Sequence, residues 1–440
     1  MSAPGQALDV LHKAIHDNDA AAVRAALRDH PELKSTIDAA LPHGSFGQTA
    51  MLAAVQKRNL AIVDLLLAAG ADINAGSHWW AGSFNVLDET DAAFLPALLQ
   101  RGARMTPHAA ARLGLVDRLR AILDADPSAV HKRGGDGQLP LHFASTIEIA
   151  DLLLGRGAEI DAIDVDHEST AAQWMLGTAE GEDPPATRHH VARFLVSRGC
   201  RTDILMASAL GDVERVKTHL AGDPGSIRTS VSERWFPKRD PRAGGAIYIW
   251  TLGAHKTAHL VAKKFGHDDV FALLMTASSP EVQLPIACEL GDEALVRSLL
   301  TATPHLVDAL TDDEWRRVVD AAQEGNVNGV RLMLEAGWPV DARGQHGATA
   351  LHWAGFHGNT AMTREILKHG PPLEALSEEF QGTPLDWAVY GSRHGWNPTH
   401  SDHAGTVNAL LEAGAKIPAD VEPATDAVRE VIRRYNRRGS

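Results

Sequence analysis

Cysteine, positive charge and long apolar runs are all in short supply, and each shortage removes a class of protein. Only two of the 440 residues are cysteine, Cys200 and Cys288, which cannot build a disulfide framework, and no CxxC pair offers a zinc knuckle. Lys and Arg total 42 against 56 Asp and Glu, a net charge of −14. Neutralising phosphates needs a dense basic face, so this balance argues against nucleic acid as a partner. No stretch approaches a membrane span, and the start MSAPGQALDVLHKAIHD has no apolar h-region. We therefore expect a cytoplasmic protein with no membrane partner. GxxxxGKS/T, GxSxG and a GxGxxG after a strand are all missing, as is any Cys–His nucleophile pairing. Nucleotide hydrolysis, serine hydrolysis and dinucleotide chemistry lose support, and no cofactor or metal is expected. Tyrosine occurs three times against ten tryptophans, a balance that favours flat stacking surfaces and interface anchors over hydroxyl chemistry.

What the chain has in quantity is a repeat. A Thr-Pro-Leu-His-like start, a helix, a turn, a second helix ending in Leu-Leu-Leu, then Gly-Ala and Asp recur along the sequence. The phrase reads GQTAMLAAVQKRNLAIVDLLLAAGADINA at 47–75 and DGQLPLHFASTIEIADLLLGRGAEIDA at 136–162. It returns as HGATALHWAGFHGNTAMTREILKHGPPLEA at 346–375 and GTPLDWAVYGSRHGW…TVNALLEAGAKI at 382–417. Threonine caps the first helix, proline fits its first turn, and apolar residues follow at i, i+3 and i+4. Leu65–67 and Leu152–154 mark the apolar face of the second helix, and Gly70, Gly157 and Gly337 fall where a left-handed residue ends it.

These segments resemble ankyrin repeats, whose unit is about 33 residues. The match is closest where His142 and His352 end the TPLH-type start. It is looser at 8–35, 106–130, 206–228, 257–278, 285–307 and 318–342, where an AL-GD-xx-V-xx-L pattern survives without the finger signature. The resemblance implies an all-α repeat solenoid of roughly twelve helix pairs with short β-hairpin fingers, because one pair cannot bury its own apolar face. We expect one stack over 1–440, with 1–46 as an N-terminal capping repeat. The helix after Pro423, with Val428, Val431, Ile432 and Tyr435 on one stripe, makes 420–440 the C-terminal cap. The resemblance also implies a binding scaffold that meets a protein partner through its groove and fingers.

Departures from the repeat carry the candidate sites. GSHWWAGSFNVLDETD (76–91) replaces most of a first helix and places His78, Trp79 and Trp80 where a finger meets the groove, as a ligand wall or as a collapsed aromatic loop. DVDHEST (164–170) sets Asp164, Asp166 and Glu168 on one face of an extended segment around His167. It reads as turn chemistry or as an acid–base cluster. The insertion at 230–256 contains Lys238, Arg239 and Arg242, then Gly244-Gly245 and an alternating AIYIWTL. That alternation predicts a hairpin strand with Tyr248 and Trp250 on one face. The basic cluster suits a carboxylate or phosphate, or salt bridges within a solvent-facing finger.

Two internal loops, 176–190 and 391–405, read as polar connectors, and the second holds His394, His400, Asp402 and His403, whose spacing fits no strong metal motif. His142 and His352 suit finger hydrogen bonds. Phe143, Trp174, Trp353 and Trp387 follow the TPLH position on the groove side, and Asp386 takes the histidine position in its repeat.

The alternative to a scaffold is an acid–base hydrolase or lyase acting on a polar, carbohydrate-like molecule. In it Asp164, Asp166, His167 or Glu168 would be acid or base. Lys238, Arg239 or His346 would hold an anionic group, beside walls of Trp79, Trp80, Trp250 and Trp353. A curved stack is expected to bring 164–168 and 235–250 opposite 345–353, with Asp164, Asp166 and Glu168 against Lys238, Arg239 and His346 as the working site or as a structural ion-pair network.

Overall fold

The computed structural model describes residues 3–177, 188–396, 401–417 and 424–438. Of the loop predicted at 176–190, residues 178–187 lie outside the described residues, as do 397–400 of the second loop. The chain divides into two compact units, Met1–Val270 and Phe271–Ser440.

Both are built from paired helices. In the first unit Ala3–His16 packs on Ala20–Asp29, Ala50–Gln56 on Leu60–Ala68, Pro107–Arg112 on Val116–Ala125, and Ile204–Leu210 on Val213–Gly222. In the second, Pro280–Leu290 pairs with Glu293–Ala302, Arg317–Gln323 with Val327–Ala336, Ala350–Phe356 with Thr360–Leu367, and Pro384–His394 with His403–Glu412. Asp426–Arg438 closes on His403–Glu412, with Val428, Val431 and Ile432 buried.

The short GD and GN pairs explain why the helix pair survives where the finger signature is lost. Glycine takes the left-handed turn after the first helix, as Gly211 does at φ 69° and Gly358 at φ 60°. The Asp or Asn beside it then caps the second helix. Asp212 accepts from Arg215 N at 3.0 Å, Asp292 from Leu295 N at 3.0 Å, and Asn359 from Met362 N at 3.0 Å.

The histidine of the TPLH start is the third residue of a capping box. His352 Nδ1 accepts from Thr349 N at 3.0 Å, and its Nε2–H donates to Gly382 O of the next finger at 3.1 Å. His142 does the same between Leu139 N, at 3.2 Å, and Ser169 O, at 3.1 Å. Gln173, Glu314 and Asp386 fill the box in other repeats, so the position demands an acceptor rather than an imidazole.

Only the middle leucine of each Leu-Leu-Leu row is fully buried. Leu66 and Leu153 are inaccessible, while Leu65, Leu67, Leu152 and Leu154 are half-buried because neighbours on a helix diverge by about 100°.

Among the described residues the fingers contain isolated bridges and no extended strand: Ala40 with Thr49, Ile163 with Thr170, and Ser230 with Thr257. Their tips are tight turns with two consecutive positive φ, at Phe46-Gly47, Asp136-Gly137 and His346-Gly347. A Cβ on Gly137 would lie 2.2 Å from Val165 Cγ2, so the next finger presses directly on the turn. The predicted strand after Gly244-Gly245 does not form. Ile249–Gly253 is a single π-helical turn. Tyr248 is fully buried while Trp250 is 64% exposed, so they do not share a face. Burial of the Tyr248 ring, whose hydroxyl donates to Asp203 Oδ2 at 2.8 Å, overrode the period-two alternation.

Candidate functional site

The acidic finger and the long insertion come together in the first unit, and their polar groups meet mainly through backbone amides. Asp164 is buried and accepts from His167 N at 2.8 Å and Ser169 N at 2.7 Å, which makes the turn rigid. Burial lifts its carboxyl above the usual range, against the pull of those two amides. Glu168, in the left-handed region at φ 47°, reaches across to the insertion. Its two oxygens accept from Arg239 N and Asp240 N, each at 2.9 Å. Asp166 O accepts from Gly244 N at 2.9 Å, His167 Nδ1–H donates to Gly245 O at 2.9 Å, and Ile247 N donates to Ser169 Oγ at 3.0 Å. His167 Nε2 lies 3.6 Å from Asp166 Oδ2, beyond hydrogen-bonding distance.

The insertion is therefore folded down rather than extended into solvent. Its base is closed by the Ser230–Thr257 bridge, its middle by the acidic finger, and its end by Tyr248 on Asp203. Two of its cations are paired locally. Lys238 pairs with Glu233 at 3.0 Å, and Arg242 pairs with Asp240 at 2.7 Å. Arg242 also lies 4.3 Å above the Trp80 ring. Arg239 engages through its backbone, with its side chain exposed.

The 76–91 segment folds as a collapsed aromatic loop. Trp79 Nε1 donates to Asp136 at 3.1 Å and its ring meets Phe46 edge-on at 5.0 Å, while Trp80 lies 6.0 Å from Trp79. His78 Nε2–H donates to Asp38 O at 2.9 Å.

His346, His352, Trp353 and Asp386 belong to the second unit. His346 bonds Glu379, and its carbonyl accepts from Glu378 N at 3.0 Å. Asp386 is spent on the Thr383 cap, accepting from Thr383 N at 2.7 Å. Trp353 is buried and is no open wall. It anchors a lattice of rings, with Trp387 at 5.2 Å, His357 at 5.8 Å and Trp396 at 5.8 Å. Phe356 meets Trp396 at 5.1 Å, and Phe380 meets His346 at 5.0 Å. The outer members, Phe380 and Trp396, are exposed, Trp396 by 66%, and Tyr390, whose ring meets His394, is exposed as well. Sequence reasoning missed all three. Tyr390 was legible as one turn beyond Trp387 on the same helix face, but Phe380 and Trp396 sit in loops with no period to read.

Among the described residues no group of His, Cys, Asp and Glu could hold a metal. His403 Nε2–H donates to Phe356 O at 3.0 Å, Asp402 caps its helix at Gly405 N, and His394 meets the Tyr390 ring edge-on at 4.2 Å; His400 lies outside the described residues. Cys200 and Cys288 are both buried and free. No helix among the described residues is long and apolar enough to cross a membrane.

Three buried histidines, two of them capping residues, set a pH dependence. Burial pushes His108, His142 and His352 down to about 4. The unfolded chain takes up these protons near pH 6.5 and the folded chain only near 4, so acidification across that interval favours unfolding by about 2 kcal/mol per site at pH 5. Buried Asp88, Asp136 and Asp320, lifted to about 6, act oppositely, so a single substitution is needed to isolate the effect. His352→Gln keeps the capping acceptor, as Gln173 does natively. It is expected to lose about 2 kcal/mol less than the parent between pH 7 and pH 5 in urea titrations. An equal loss would show that His352 is protonated in the fold.

A family model described as "Ankyrin repeats (3 copies)" matches residues 284–377 and 318–420, and one described as "Ankyrin repeat" matches 46–78 and 136–165. The palmitoyltransferase Hip14 of Drosophila melanogaster is 34% identical over 118 residues, covering 27% of this chain and 17% of that protein. The ankyrin repeat domain-containing protein SAT10 of Stachybotrys chartarum is 23% identical over 432 residues, 86% of this chain and 21% of that protein. The palmitoyltransferase ZDHHC17 of Homo sapiens is 28% identical over 111 residues, 25% of this chain and 15% of that protein. The chain thus spans under a quarter of the length of each of these relatives.

Proposed function

Since the chain is an ankyrin-repeat protein, we propose that it serves as a binding scaffold for a protein partner, which seats on the aromatic face of the second unit. The observation that supports this reading is the exposure of Phe380 and Trp396 against the buried Trp387 and Trp353, with exposed Tyr390 on the Trp387 helix. Aromatic residues exposed together are uncommon on a free surface and are enriched among residues that dominate binding energy. The buried rings hold the outer ones in place, so less side-chain freedom is lost on association. The hydrolase or lyase reading has weaker support, because the Asp164 and Glu168 carboxylates accept hydrogen bonds that hold a turn and an insertion in place.

Affinity capture with quantitative mass spectrometry tests the proposal. Phe380→Ala combined with Trp396→Ala is expected to leave the melting temperature nearly unchanged and to lower recovery of the main partner at least about tenfold. Trp80→Ala, in the first unit, should recover it normally. Equal recovery by the double variant and the parent would overturn the reading.

A further inference from the structure

The first unit contains a cleft that the proposed partner surface does not use. Its volume is about 600 Å³, and its lining includes Phe46, Phe84, Phe94, Asp88, Glu89 and Asp136. That size suits a small molecule rather than a flat protein contact. Three features give it a chemical preference.

The first is Asp88, only 7% exposed. One of its oxygens accepts from Asn85 N at 2.7 Å, while Oδ1 is buried without any hydrogen-bond partner. That oxygen is sealed from solvent, so Asp88 acts on the cleft through its charge rather than through a hydrogen bond to a ligand. Arg112 acts on Asp88 through space, but its Nη2 is directed at the carbonyls of Leu87 and Thr90.

The second is the surplus of negative charge. Asp88, Glu89 and Asp136 line the cleft against the single cation Arg58, which is already paired with Asp91. Glu89 is reached by Gln56 Nε2 at 3.0 Å, and Asp136 by Trp79 Nε1 at 3.1 Å, so both carboxylates are positioned.

The third is the aromatic side. Phe46 holds a left-handed backbone at φ 56° and is 51% exposed, with Phe84 at 5.7 Å and Trp79 at 5.0 Å from its ring. A bulky side chain in that backbone region is unusual. The chain's own Arg58 guanidinium already lies 4.8 Å from the Phe94 ring centre, so the site displays the contact a cationic ligand would make.

We propose that this cleft binds a small organic cation bearing N–H donors, a guanidinium or primary ammonium compound, with the charged head toward Asp88 and its carbon chain against Phe46 and Phe84. A quaternary ammonium would satisfy the rings and the charge but could donate no hydrogen bond to the Glu89 and Asp136 carboxylates at the cleft.

The test is calorimetric titration of the full chain with agmatine, putrescine, choline and a capped arginine amide. Agmatine or putrescine is expected to bind, with choline at least about tenfold weaker. Asp88→Asn should weaken the amine about tenfold or more. Phe46→Ala, at an exposed ring, should weaken it severalfold without lowering the melting temperature, and this keeps the test valid if Asp88→Asn fails to fold. Capped arginine binding better than agmatine would support the site and make its natural ligand a protein side chain; the reverse order supports a free amine. Absence of binding by all four probes at about ten millimolar, or equal binding of choline and agmatine, would overturn the proposal. So would unchanged affinity in both variants. None of these outcomes bears on Phe380 or Trp396.

Discussion

Truncating Leu153 to alanine is expected to destabilise the first unit by about 2–5 kcal/mol, read as a fall in the urea midpoint with an unchanged slope. Leu153 is fully buried within the Ile147–Gly155 helix, so its loss leaves a cavity as well as removing apolar contact. Leu154→Ala, one residue along and half-buried, should cost less than half as much. Trp80→Ala should also cost less than Leu153→Ala, because the Trp80 ring is only half-buried and covered on one side by Arg242. If Trp80→Ala were the more damaging, the 76–91 loop would belong to the core and the repeat register would be misplaced there.

The second large effect is expected at the acidic finger. Asp164→Asn with Glu168→Gln weakens four charge-assisted bonds to the amides of His167, Ser169, Arg239 and Asp240. Each such bond contributes about 1.5–3 kcal/mol, and the amide replacements keep part of it. Loss of about 2 kcal/mol in local opening energy would speed hydrogen exchange about thirtyfold at the Arg239, Asp240 and Ile247 amides. Protection in the Ile147–Gly155 helix should be retained. Unchanged exchange at 239–247 would mean that the carboxylates do not hold the insertion, and would return them to consideration for acid–base chemistry.

Most of the repeat architecture was legible because its signals are local. A left-handed glycine, an Asp or Asn cap and a third-position acceptor all act within four residues, so GD-V, GN-T and TALH each identify a turn or cap by themselves. The candidate site was legible only in part, because its contacts are distant in sequence. Glu168 meets Arg239 and Asp240, 71 and 72 residues away, and His167 meets Gly245 78 residues away. The sequence marked both segments as departures from the repeat and set their charges against each other, but it pointed to side-chain ion pairs, whereas Glu168 meets the insertion through the Arg239 and Asp240 amides and Lys238 pairs with Glu233. The AIYIWTL alternation misled for the same reason, since Asp203, the partner that draws Tyr248 inward, lies 45 residues upstream. The cleft around Asp88 was not legible at all, since Phe46, Phe84 and Asp136 reach it from three different turns and loops.

Hydrogen exchange footprinting of the captured partner on this chain tests the central claim most directly. The account predicts that binding slows exchange at residues 350–357 and 377–394, around Trp353, Phe380 and Tyr390, and leaves 164–169 and 239–247 as they are in the free protein. Protection concentrated at 164–169 and 239–247, with 377–394 unchanged, would contradict it and place the working surface on the acidic finger.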